Sequence, residues 1–397
     1  MVSPGPRSSW NPASEPGAVV TIGEMTAIDI TDDPSEIRIR VVDPRGESIL
    51  WWSIEDPSRG EPVNRAASAA VALLPMAQFR GWNLRLKGRL PADLVGHLTE
   101  SIDYWTMLRP DIYKAVTIDC DDIEDQPATH RGEAGVLAYS GGVDSTHTLI
   151  HNRLVDDPRN RPISRAVFVH GLDIPLTQTA GLAMADDSAR AICSSWDVAF
   201  SSVATNWRQD FSPNYSMSFM AGIAATLRLF SGSAHRGEVS ADTSYAFHPK
   251  PWGTHPSSNW LLGDAQFPLV SRGFGWTRLE KIGFIAHSRS VRQHLRVCWE
   301  GPDTGSNCGI CEKCVRTALQ FRSLGHWDVP ALPAPTVDLV DRISVRRPGQ
   351  LTYLQELLND PGMLPTELLA AVARAVERSL ETMGPDSPMA ITTTVER

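Results

Sequence analysis

The chain has few cysteines, six in 397 residues, and four of them fall between 298 and 314. So sparse and clustered a set argues against a secreted, disulfide-stapled scaffold. No apolar run approaches the roughly 18–20 residues of a membrane span, so no membrane association is expected. The first residues lack the apolar core of a signal peptide; Pro4, Pro6, Ser8, Ser9 and Pro12 read as a loose tail, and the cytoplasm is the default location. Positive charge is short too. A net charge of −9 argues against a nucleic-acid partner. Neither common nucleotide loop occurs: there is no Gly-x-x-x-x-Gly-Lys-Ser/Thr and no Gly-x-Gly-x-x-Gly after a strand. No internal repeat is visible.

Against those absences, one stretch stands out, Gly135-Val-Leu-Ala-Tyr-Ser-Gly-Gly-Val-Asp-Ser-Thr146. Val136, Leu137 and Ala138 form the short apolar run of a strand covered on both faces. Ser140, Gly141 and Gly142 turn the chain, and two glycines allow close approach to an anion. Asp144, Ser145 and Thr146 stand where a helix begins. Its unpaired N–H groups and partial positive charge suit phosphate. The plain alternative is a Ser/Gly turn capped by Asp144.

Strand and helix alternate after this loop. Strands are expected at Ala166–His170, Ala199–Thr205 and Arg236–Ser240, with helices at Met184–Trp196 and Met217–Phe230. That alternation argues a doubly wound parallel sheet of the α/β class. Ligands in such sheets sit beyond the carboxyl ends of the strands, which here carry Ser140, His170 to Asp173, Asn206 and Asp242. Tyr245–Trp260, rich in histidine, proline and tryptophan, is either a functional lid or a packed connector. Thr277 and Glu280 have capping-box spacing and open a helix bearing Arg278 and Lys281.

Before the loop lies an α+β module. Three strand-like runs occupy Val19–Ile54, with Ile37, Ile39 and Val41 on one face. Asn64–Leu74 is alanine-rich and helical, expected to end at Pro75. Trp82–Lys87 is a strand, Pro91–Leu108 a helix, and Tyr113–Cys120 the last strand. Asp121–Glu133 is acidic and reads as a linker. The expected organisation is a disordered tail over 1–18, an N-terminal α+β domain over 19–125, a nucleotide-binding domain over 126–328 and a helical extension over 329–397. The extension's helix, Leu364–Met383, carries Leu368, Val372, Val376 and Leu380 in one stripe, the face of a core or of a homodimer.

Cys298, Cys308, Cys311 and Cys314 form a C-x9-C-x2-C-x2-C array. Four thiolates at such spacing suit structural zinc, and an iron–sulfur cluster is the other use of the same set. Cys120 and Cys193 read as ordinary buried thiols.

The Ser-Gly-Gly-x-Asp-Ser-Thr pattern resembles the pyrophosphate loop of the ATP pyrophosphatase superfamily. Together with the cysteine array it is similar to the 7-cyano-7-deazaguanine synthase branch, over roughly Gly135–Phe321, about half the chain. Pro213-Asn214 is similar to that branch's Pro-Gly-Arg-Asn loop without its Gly-Arg, and Cys298-Trp299-Glu300-Gly301 matches its zinc segment with one extra residue in the first gap. The resemblance implies a HUP-type, adenine nucleotide alpha hydrolase-like sheet. It implies ATP and Mg2+ at Ser140, Gly141, Gly142, Asp144, Ser145 and Thr146, with His170, Gly171 and Asn206 on the adenine side, and Zn2+ on the four cysteines. The implied chemistry is a small-molecule carboxylate attacking the α-phosphate, with release of AMP and diphosphate, and then ammonia or an amine attacking the acyl-adenylate. Asp144, Ser145, Arg278 and Lys281 are the expected catalytic residues, and Arg208 is a further candidate clamp. A muramoyl-peptide glutamate epimerase-like activity, a tRNA-modifying enzyme on the same loop, and a nucleotide-binding partner without catalysis are the alternatives.

Overall fold

In the second strand, Ile37, Ile39 and Val41 are buried while Arg38 is exposed, the alternation of a sheet with one wet face. The computed structural model describes residues 23–54, 56, 60, 62, 64–124, 134–247, 252–298, 305–343, 345 and 348–383. The expected N-terminal tail, part of the acidic stretch after 124, His248 and Pro249, Trp299 to Gly301 and the final residues lie outside that range.

The strands are β1 (Glu24–Asp29), β2 (Glu36–Asp43), β3 (Gly46–Ile54), β4 (Asn83–Pro91), β5 (Ile118–Glu124), β6 (Gly135–Ala138), β7 (Ile163–His170), β8 (Ala199–Thr205), β9 (Gly237–Ser240) and β10 (Leu269–Arg272). They form one mostly parallel sheet in the order β10-β9-β6-β7-β8-β3-β2-β1-β4-β5. The helices are α1 (Arg65–Arg80), α2 (Ala92–Leu108), α3 (Val143–Leu154), α4 (Thr179–Ser195), α5 (Trp207–Phe211), α6 (Tyr215–Arg228), α7 (Arg278–Ile285), α8 (Arg289–His294), α9 (Glu312–Ser323), α10 (Val337–Asp341), α11 (Pro348–Asn359) and α12 (Thr366–Met383).

Strands β6 to β10 are mutually parallel and run 5-4-1-2-3 when numbered from β6. Chain order reverses at β6, which lies between β7 and β9. Helices α3 and α4 cover one face, burying Leu149, Ile150, Ala185, Ala189 and Ile192. Helix α6 covers the other through Met220, Ala221, Ala224 and Leu227. The parallel portion therefore has helices on both faces, and its chain order reverses at β6, beside β9.

The N-terminal module shares this sheet. Strand β3 pairs antiparallel with β8, Trp52 opposite Thr205. Trp52 Nε1 donates to Thr226 Oγ1 of α6 at 3.0 Å, and Trp207 Nε1 donates to the Ala72 carbonyl of α1 at 2.7 Å. Asn206 closes the joint. Its Oδ1 accepts from Trp51 N at 3.0 Å, and its Nδ2 donates to Ile49 O and to Asp210 Oδ2.

Three expectations need correction. Helix α1 does not stop at Pro75 but runs to Arg80, with Gly81 as its cap. A mid-helix proline costs about 3 kcal/mol. Burial of Leu73 and Leu74 before the interruption, and of Met76 and Ala77 beyond it, offsets it. The last N-terminal strand begins at Ile118 rather than Tyr113, and Asp121 to Glu124 belong to it rather than to a linker. Its acidic residues face the basic edge of β4: Asp119 pairs with Arg85, Asp121 with Arg85 and Lys87 at 3.3 and 3.4 Å, and Asp122 with Arg89 at 3.4 Å. The apolar stripe of α12, read as core or a dimer face, packs with α10 and α11 of the same chain, the first of those two readings.

Because Asn206 joins the two modules, Asn206→Ala should lower stability by about 2 kcal/mol through the groups left unpaired. Urea unfolding should show the loss in one cooperative transition. Two separated transitions would contradict the shared sheet.

Candidate functional site

Strand β6 delivers the chain to the order reversal at Tyr139, which is buried and whose hydroxyl shares a 3.0 Å hydrogen bond with Thr146 Oγ1. Ser140, Gly141 and Gly142 then turn. Gly141 has φ +73, a conformation that side-chain-bearing residues rarely adopt. Ser145 Oγ lies 3.3 Å from Ser140 Oγ and donates to the Gly142 carbonyl at 3.3 Å. Gly142 is the N-cap of α3 and brings no side chain to cap it. The first turn of α3 thus has no side-chain cap from Gly142, and the Ser140 and Ser145 hydroxyls meet at the same end of the helix.

Asp144, in that first turn, does not cap the helix. Its Oδ2 accepts from Arg278 Nη1 at 2.9 Å and its Oδ1 from Lys281 Nζ at 3.0 Å. Burial pushes this carboxyl up, but the charges of Lys281 and Arg278 outweigh it and hold it below its ordinary value. The capping box forms as expected: Glu280 N donates to Thr277 Oγ1, and Thr277 N donates to Glu280 Oε2 at 2.7 Å. It fixes the start of α7, so that Arg278 and Lys281, three residues apart, share a face. Lys281 Nζ also donates to the Ala241 carbonyl at 2.5 Å, bridging α3 to the end of β9.

Asp242 follows at once. Trp252 Nε1 donates to its Oδ2 at 2.7 Å, Tyr353 Oη donates to its carbonyl at 2.6 Å, and its Oδ1 is buried with no partner. Burial raises this carboxyl to about 6, and the charge of Asp144 adds to the rise. Behind the pair, His147 is packed against Trp276 and Phe284 with neither ring nitrogen bonded. Burial lowers it to about 3, so it is neutral.

The C-terminal helices reach this centre, which local sequence signals did not reveal. The Tyr353 ring lies 4.4 Å from the Arg316 guanidinium and 5.7 Å from that of Arg278. Arg316 is buried and ion-paired to Glu312, which accepts from Gln350. Burial pushes neighbouring Lys313 down to about 8.

The adenine-side residues serve the protein itself. His170 is buried with Nε2 2.9 Å from the Pro175 carbonyl. Gly171 passes so close to β8 that a Cβ would meet Thr205 O at 2.0 Å. Asn206 spends both amide hydrogens within the β3–β8 joint. Thr146 is fully buried beneath the turn rather than on it. Arg208 sits apart from Arg278 and Lys281, donating to Leu172 O and lying 3.9 Å from the Tyr215 ring. In the described part of the aromatic loop Thr254, His255, Ser258 and Asn259 are buried, while Tyr245 and Trp260 are exposed.

The four array cysteines converge, with all sulfurs within 4.8 Å of one another. This donor set fits zinc. Gly309, at φ +78, turns the chain between Cys308 and Cys311 where a Cβ would strike Pro333. Asn307 braces the segment: Oδ1 accepts from Val297 N and Cys298 N, and Nδ2 donates to Leu295 O and Ala331 O. Arg296 joins the cluster to the turn. Its N donates to Gly141 O at 3.0 Å, and its Nε donates to Gly305 O at 3.0 Å. Cys193 is buried apart from the cluster, and Cys120 lies on β5. Among the described residues no helix is long and apolar enough to cross a membrane.

Comparison with protein-family models, with curated proteins and with solved structures finds no match.

Elemental analysis should find about one zinc per chain, lost in Cys308→Ser/Cys311→Ser. Because Arg296 ties the cluster to Gly141, amide exchange over 139–146 should accelerate in that variant; unchanged exchange would contradict the coupling. Asp242 gives a pH signature. Its folded value lies above the ordinary 3.8, so its contribution is fully present below pH 4 and lost as pH rises through about 6. Asp242→Asn should therefore gain about 1–2 kcal/mol over the wild type at pH 8, with the gain vanishing near pH 4. A pH-independent difference would contradict the buried carboxylate.

Proposed function

We propose that the chain is an AMP-forming enzyme that activates a small-molecule carboxylate with ATP, for attack by ammonia or an amine. One observation carries the reading: the Ser140–Ser145 turn lies at the order reversal of the parallel strands, with Asp144 held by two cations beside it. The strand order supports a HUP-like fold, and the closed four-thiolate set supports zinc in a structural role, since it leaves no position for a reacting water.

ATP, when bound, supplies an electrophilic α-phosphorus with diphosphate as leaving group, so a carboxylate can be converted to an acyl-adenylate. The first-turn N–H groups of α3 and the Ser140 and Ser145 hydroxyls would receive the outer phosphates. Magnesium would be held mainly by those phosphates, with Asp144 the nearest carboxylate. Arg278 and Lys281 share the single carboxylate of Asp144, which leaves the triad one net positive charge. An entering polyphosphate competes for the same two cations, so the triad offers charge without reorganising the fold. Neutral His147 and the Trp276 and Phe284 rings back this group with apolar surface, which strengthens every charge interaction in front of them. Asp242, raised to about 6, is poised to take a proton from an incoming ammonium or amine.

The test is product analysis with ATP, magnesium, ammonium and a panel of carboxylates. AMP and diphosphate should form for at least one acid. Ser145→Ala/Asp144→Ala should reduce AMP release by about 100-fold or more, with far-ultraviolet circular dichroism unchanged. ADP as the product, or normal AMP release by the double variant, would sink the reading.

A further inference from the structure

Helix α11 has two unlike faces. Leu351, Leu354 and Leu357 are fully buried in a core shared with α12. Gln350, Tyr353 and Glu356, spaced three residues apart, form a second face that meets α7 and α9. The apolar face anchors the helix, and the polar face reaches the charged centre around Asp144.

Each residue of the polar face makes contact there. Gln350 Nε2 donates to Glu312 Oε2 at 3.2 Å, and Glu312 in turn holds Arg316. The Arg316 and Arg278 guanidiniums both lie over the Tyr353 ring, 4.4 and 5.7 Å from its centre. Glu356 is pushed up to about 6 by burial, and the charges of Arg278 and Arg316 oppose the rise.

Hydrogen bonds alone leave both guanidiniums underdetermined. Arg278 donates through Nη1 to Asp144, while its Nε is buried with no partner. Arg316 donates through Nε to Glu312, while its Nη1 is buried with no partner. A planar cation held at one nitrogen can still swivel about that bond. An aromatic face beside it removes the freedom, because the cation is drawn to the face of the ring rather than its edge. The same ring carries Oη, which donates to the Asp242 carbonyl at 2.6 Å. One side chain therefore touches both the cation that holds Asp144 and the backbone that carries Asp242.

We infer that Tyr353 is a positioning residue of this site. Its ring sets the plane of Arg278 for an incoming phosphate, and its hydroxyl fixes the main chain at Asp242. The C-terminal helices thus complete the anion clamp from outside the parallel strands. A part in adenylation rests on the reading proposed above; orientation of an anion clamp does not.

The experiment uses the full chain with Tyr353→Phe and Tyr353→Leu. Binding of inorganic diphosphate with magnesium is measured by calorimetry, whose stoichiometry counts the competent chains. The KM for ATP and the kcat for AMP release are measured on the same samples. Tyr353→Phe, nearly isosteric and thus safe for folding, keeps the ring. Its diphosphate affinity and KM should match the wild type, while kcat falls about fivefold through the lost bond at Asp242. Tyr353→Leu should weaken diphosphate about tenfold and raise the KM by a like factor. A merely structural residue would lower the stoichiometry and leave the affinity alone. Equal diphosphate affinity in all three proteins, or no binding by the wild type at about 10 mM, would overturn the proposal. An unchanged kcat in Tyr353→Phe would also overturn it. AMP release alongside that equal affinity would leave the adenylation reading standing. Affinity that follows the ring, in a chain that releases no AMP with any acid, would uphold the positioning and remove the adenylation reading.

Discussion

Asp144 sits between Arg278 and Lys281, and most of the candidate site follows from that contact. A carboxylate in the first turn of α3 would ordinarily cap the helix or face water. Here two cations from α7 claim it, which leaves the helix N-terminus free for another anion. The same Lys281 reaches Ala241 and so holds the end of β9 against α3. Asp242 is thereby buried within range of the Asp144 charge, and its own value rises, through burial first and that charge second. Removing one partner would leave the others without their counter-charge, a cost in stability that the surrounding packing has to carry.

The contact only matters because larger elements hold it. Strand β3 extends the parallel strands into a single sheet with the N-terminal module, so α6 is packed between α1 and the sheet that carries the turn. On the opposite side Arg296 fastens the cysteine cluster to Gly141. A zinc ion there would act on the turn mechanically, by fixing the backbone that Arg296 presents, rather than chemically.

Sequence legibility followed the range of the forces involved. The apolar run of β6, the glycine turn, the Thr277–Glu280 capping box and the cysteine spacing are local, and each formed where it was read. Pro75 and the acidic run at Asp121–Glu124 misled because tertiary contacts overrode local preference: burial carried α1 past its proline, and basic β4 drew the carboxylates into a strand. His170 and Asn206 stand at strand ends as expected, yet His170 Nε2 is engaged by the Pro175 carbonyl and the Asn206 amide by backbone and Asp210. Tyr353, from α11, had no signal near the loop it serves, since 111 residues separate it from Asp242.

The central claim is that the turn after β6 receives the outer phosphates of ATP. A crystal structure with α,β-methylene-ATP and magnesium tests it most directly. The account requires phosphate oxygens within hydrogen-bond distance of the Ser140 and Ser145 hydroxyls and of the first-turn N–H groups of α3. Well-ordered triphosphate bound elsewhere, with Asp144 still closed on Arg278 and Lys281 and the turn occupied by water, would contradict it.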